Sequence, residues 1–78
     1  DTSILLASLL SKLGYDTVLV LFDKHMGVGI ADDGTFSGTY YLYGGVKYFY
    51  IETTSTGWQI GSIHSDYKNM SAVLLTVN

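Results

Sequence analysis

Apolar residues come at helical spacing only once along the chain, at its amino end. Ile4, Leu5, Ala7, Leu9, Leu10 and Leu13 predict one amphipathic helix over residues 3–13, nearly buried on all sides. Asp1, Thr2 or Ser3 caps it, and Gly14 stands where a left-handed residue ends a helix. From there the pattern changes to short β-branched and aromatic runs. "TVLVLF" (Thr17–Phe22) fits a strand buried on both faces, and "DKH" (Asp23–His25) a tight connection. "MGVGIA" (Met26–Ala31) predicts a second strand, in which Gly27 and Gly29 point to close backbone approach by a neighbour. "DDGTFSG" is a loop. "TYYLY" and "VKYFYIET" flank Gly44-Gly45, a strong two-residue hairpin signal. Ser55-Thr56-Gly57 is a further turn, Trp58 to Gly61 a short strand, "SIHSDYKNMS" polar and irregular, and Val73 to Val77 a last strand. The order is one helix and then five or six antiparallel strands. That is an α+β architecture, with the helix on one face of a meandering sheet. The hairpin alternates so that Tyr48, Tyr50 and Glu52 share one face and Phe49, Ile51 and Thr53 the other. One face is for the helix, the other for something else.

Composition narrows what this scaffold can do. Seventy-eight residues make one domain, residues 1–78. A chain of that size buries only about 60% of its unfolded surface, so tyrosine and phenylalanine must supply the bulk of its core. It has no cysteine, which removes disulfides and thiolate metal sites, and with two histidines structural zinc is not expected. No metal or other cofactor is predicted. The net charge is −3, with four lysines and no arginine. No basic stripe is available to neutralise phosphates, which argues against nucleic acid and anionic membrane surfaces. The longest apolar run, Val18 to Phe22, falls far short of a membrane span. The chain opens at Asp1 rather than Met, as expected of a processed product or an excised fragment. Asn69-Met70-Ser71 matches a glycosylation sequon, a tripeptide too common to carry weight.

The candidate chemistry starts from Glu52, a lone carboxylate on the face of two tyrosines. An inward carboxylate costs folding free energy unless something pairs with it. His25 is the best partner, because the meander brings the mouth of the second strand beside Val46–Thr53. A histidine held by a carboxylate is the orienting half of a nucleophile–His–acid constellation. The plain alternatives are a solvated His25 in a turn, and a Glu52 that faces solvent or pairs with Lys47. His64 lies in a polar stretch near Asp66 and is expected to be exposed. "GVGIADDG" lacks the third glycine and the following helix of a phosphate loop, and "ADDG" lacks the alternating acids of a calcium loop. Ser3, Ser8 and Ser11 are not in a nucleophile elbow. Tyr40, Tyr41, Tyr43, Tyr48 and Tyr50 read as cross-strand packing before they read as a stacking surface for sugars or bases.

Taken in order, "DTSILLASLLSKLGYDTVLVLF", "HMGVGI" and "YFYIETTSTGWQIG" resemble the transglutaminase-like branch of the papain-like cysteine peptidase superfamily, in its archaeal and bacterial forms. In that family the catalytic Cys begins a buried helix, in a Cys-Glu-Asp-like pattern before a Leu-rich run. A strand, a His opening the next strand, and an acid on a later strand follow. The resemblance covers nearly the whole chain. It implies His25 as the catalytic histidine and Glu52 as the orienting acid. Thr53 and Thr54 match the residues after the acid, and Trp58 to Gly61 the segment beyond.

Two departures stand out. The nucleophile is missing, and its place in the family pattern is just upstream of Asp1, so the chain reads as a fragment beginning immediately after it. The span from His25 to Glu52 is also longer than the family's short hairpin, an excess that the "ADDGTFSG" loop and longer strands account for. The implied reaction is acyl transfer from an amide, peptide hydrolysis or isopeptide formation, on a peptide or protein substrate. Tyr48, Tyr50 and Trp58 are candidates to line the acyl-acceptor side. Without the Cys, no residue here matches its acidity, and the chain alone is expected to be inactive. Two other readings stay open: a peptide- or glycan-binding module on the same scaffold, and a structural domain. Apolar surface left without its cover predicts a homodimer. The composition leans only weakly toward an extracytoplasmic setting.

Overall fold

A computed structural model of the chain describes residues 2–54, 57–64 and 67–77; of residues 53, 54, 57 and 58 it describes the backbone alone. One helix, α1 (Thr2–Lys12), is followed by β1 (Thr17–Phe22), β2 (His25–Ala31), β3 (Tyr40–Tyr43), β4 (Val46–Thr54), β5 (Gly57–Ile60) and β6 (Val73–Thr76). All strand pairs are antiparallel, and the sheet runs β3-β4-β2-β1-β6, with β5 also on β4. This is the α+β fold that the pattern predicts.

The helix ends as a glycine cap should. Tyr15 N donates to Leu10 O and Gly14 N to Ser11 O, both at 3.0 Å, with Gly14 at φ 95°. The hairpin between β3 and β4 turns on Gly44 and Gly45, at φ 59° and 80°. Positive φ at both central residues makes the turn that matches the twist of its strands. β3 and β5 lie one after the other along the same edge of β4, pairing with Val46–Phe49 and Ile51–Thr54 respectively.

The sheet is buried on both sides. Ala7 and Leu10 of α1 pack on Val28, Ile30, Phe49 and Ile51. On the opposite face Val18, Val20, Phe22, Tyr48 and Tyr50 are covered by the connection from β5 to β6, through Ile63, Tyr67 and Ala72. The face left over by the helix is thus closed by the chain's own crossover. Two details differ from expectation. The helix is not buried all round: Ser3, Ala7 and Leu10 are inside, whereas Ile4, Leu5, Leu9 and Leu13 are exposed. With one layer to pack against, only one stripe of a helix finds cover. The close neighbours of Gly27 and Gly29 are side chains rather than backbone: the Tyr50 ring lies over Gly27, and Val18 and Tyr48 crowd Gly29.

Candidate functional site

His25 opens β2 directly after a two-residue turn, Asp23-Lys24, and faces Phe22 across it. Lys24 takes φ 65° to make the turn. Register places the side chains that follow. Gly29 pairs with Tyr50 and Ala31 with Tyr48, so His25, Gly27, Gly29 and Ala31 share a face with Tyr48, Tyr50 and Glu52. His25 and Glu52 therefore lie on the same side of adjacent strands.

They do not touch. Among the described residues no hydrogen bond or ion pair joins them; the polar contact of the His25 ring is Nε2 to Tyr50 Oη, at 3.4 Å. Gly27 explains why. With no Cβ there, the Tyr50 ring lies across β2 and delivers its hydroxyl to the imidazole. The ring of His25 also stacks on Tyr67, centroids 4.1 Å apart and planes 9° apart, and lies 5.9 Å from Phe22. A half-buried, stacked ring in a strand is not the solvated turn residue of the plain alternative.

Burial, and then the charge of Glu52, push the Tyr50 hydroxyl up to about 12. Tyr50 is thus a neutral hydroxyl that contacts the imidazole on the face it shares with Glu52. Glu52 is half-buried, and Lys47 is not its partner: Lys47 is on the helix side of β4, its ammonium 4.9 Å from the centre of the Tyr40 ring.

Of the residues proposed to line an acyl-acceptor side, Tyr48 and Tyr50 are 4% and 1% exposed, core residues beneath the crossover rather than an open wall. Tyr48 donates to Asp16 Oδ2 at 3.0 Å; burial first and Asp16 second raise its hydroxyl above the ordinary tyrosine value. The side chains of Trp58, Thr53 and Thr54 lie outside the described residues, as does Asp66. His64 is exposed. Tyr41 and Tyr50 meet edge to face, and Tyr40 packs on Phe49, as cross-strand pairs do. The Tyr41 hydroxyl is buried without a hydrogen-bond partner among the described residues, and that burial raises its pKa.

Two residues of this region have contacts that the sequence does not announce: Ser3, which it offers only as a helix cap, and Tyr67. Ser3 is buried, and its Oγ donates to Met26 O at 2.9 Å, fastening the amino end of α1 to the start of β2 on the face opposite the His25 ring. Its signal was a serine at helical spacing from Ala7 and Leu10, on the inward stripe. Tyr67 stood in a polar stretch with no period, and only its ring marked it. Among the described residues no cluster of His, Cys, Asp and Glu could hold a metal ion, and no helix is long and apolar enough to cross a membrane. No family model, curated protein or solved structure matches the chain.

Proposed function

We propose that this domain carries the His–acid half of an acyl-transfer site of the transglutaminase-like cysteine peptidase kind. His25 is the proton-transfer base, and Glu52 is the acid whose charge supports it across Tyr50. One observation carries the reading: His25 and Glu52 lie on one face of adjacent strands, where the Tyr50 hydroxyl meets the His25 ring at 3.4 Å, while α1 packs on the other face and is tied by Ser3 to the Met26 carbonyl at the start of β2. A thiolate at a helix amino terminus is stabilised by the dipole and by a neighbouring imidazolium. The base accepts its proton and returns it to the leaving amine. The 78 residues contain no cysteine, so this chain alone forms no acyl-enzyme and turns over no amide or thioester.

The test supplies the missing group. With a Cys-Glu dipeptide joined ahead of Asp1, the thiol should react with iodoacetamide at pH 6 about tenfold faster than a free cysteine thiol. His25→Ala should abolish that excess, and Glu52→Gln should reduce it. A thiol that reacts like free cysteine in all three chains ends the reading.

The stacking of Tyr67 on His25 favours a second reading, a binding module on the same scaffold, because the crossover covers one face of the ring. Such a module gives the unaccelerated thiol, and a peptide or glycan as its partner. In either reading the uncovered leucines of α1 lead us to propose that two copies associate.

A further inference from the structure

We propose that Tyr50 is the positioning residue for His25: its hydroxyl accepts the hydrogen bond of Nε2–H and leaves Nδ1 as the ring nitrogen free to exchange a proton. The inference rests on the acyl-transfer reading and adds to it a residue that the resemblance does not assign. Three features converge on it. Tyr50 Oη is within 3.4 Å of Nε2, the long end of a hydrogen bond, as resting catalytic contacts often are. The ring reaches there only because position 27 is glycine, since a Cβ at Gly27 would overlap the Tyr50 ring. The backbone that aims the ring is held on both edges of β4. Tyr50 pairs with Gly29 on one side. On the other its N donates to Thr39 O at 2.9 Å and its O accepts from Gly61 N at 2.6 Å.

The direction of the bond follows from what a base must do. A hydroxyl that donated to Nε2 would lose the bond each time the ring became imidazolium, when both nitrogens carry protons. A hydroxyl that accepts from Nε2–H keeps it in both protonation states. Nδ1 has no hydrogen-bond partner among the described residues, and is the nitrogen left to face a nucleophile. Glu52 shares the face without touching the imidazole, and burial first and its charge second oppose ionisation of the Tyr50 hydroxyl.

The imidazole nitrogens of the 78-residue chain, observed by 15N NMR, decide the matter, with N-acetylhistidine in the same buffer as the solvated reference. Wild type should show a slowly exchanging Hε2 proton on His25 at neutral to alkaline pH, and Nδ1 without a proton. Tyr50→Phe keeps the ring over Gly27 and removes only the oxygen. It should lose the Hε2 signal while the backbone amides of β2 and β4 stay in place. Identical His25 ring signals in both chains would overturn the proposal. So would a wild-type His25 whose ring protons exchange as fast as those of N-acetylhistidine, a result that needs no variant to fold. The experiment uses no thiol, so its failure leaves the iodoacetamide result standing, and the reverse.

Discussion

Gly27 and Tyr50 make a pair in which one residue's lack of a side chain places the other's. Gly27→Ala sets a methyl group against the Tyr50 ring and should cost ~1–3 kcal/mol in denaturant unfolding, the range of an overpacked site. A loss under ~0.5 kcal/mol would mean that the ring moves aside freely. Tyr50 also sets a pH limit. Its folded-state pKa, about 12, lies above the ordinary value of 10, so the native state holds this proton more tightly than the unfolded chain. That contribution is complete below pH 10 and disappears as the pH rises through about 12. Wild type should lose stability across this interval, and Tyr50→Phe should lose less; equal slopes would count against the shift. The alternation of the hairpin made the shared face of Tyr48, Tyr50 and Glu52 legible beforehand. The contact of the Tyr50 hydroxyl with the His25 ring was not. Strand period says which side a residue takes and nothing of how far a ring leans, and the lean depends on an empty position in the next strand.

At the level of elements, glycines and tight turns made the strands readable, and burial was harder to read. Each predicted strand among the described residues is present to within a residue or two, because Gly44-Gly45 and Asp23-Lys24 leave so few ways to reverse the chain. The helix stands where its period puts it, but the burial on nearly all sides that its leucines predict is not found. Period counts apolar faces, while cover depends on how many layers the fold supplies. The junction where β3 gives way to β5 on the edge of β4 had no sequence signal beyond two glycines. Gly38 and Gly61 have φ of 109° and 88°, and Thr39 N donates to Gly61 O at 2.7 Å. A Cβ at Gly61 would run into the Ser37 carbonyl, and one at Gly38 into the Gly61 carbonyl. Gly61→Ala therefore combines backbone strain with a clash, and should destabilise by at least ~2 kcal/mol. In hydrogen exchange, the Tyr50 and Thr39 amides should lose protection before those of β1. A variant as stable as wild type would show that the junction is loose.

The whole molecule spends its apolar residues unevenly. Both faces of the central strands are sealed, yet Leu5, Leu9 and Leu13, spaced by four, run along the outside of α1, with Leu5 72% and Leu13 65% exposed. Val73 and Leu75 of β6 are also exposed, on the same side of the sheet as the helix. Ser11 Oγ donates to Val77 O at 3.0 Å, so the helix lies beside this edge strand. Lys12 is the charged residue of α1, and β6 has none, so a net charge of −3 puts little repulsion across this side. Exposed apolar side chains in such number favour association. The weight-average mass in sedimentation equilibrium should rise from monomer toward dimer with concentration. Leu5→Lys with Leu9→Lys should hold the chain monomeric while changing its stability by no more than about 0.5 kcal/mol per site, because neither leucine is in the core. A wild-type mass that stays monomeric at every concentration would refute association. Variants that unfold rather than dissociate would show that these leucines support the fold itself.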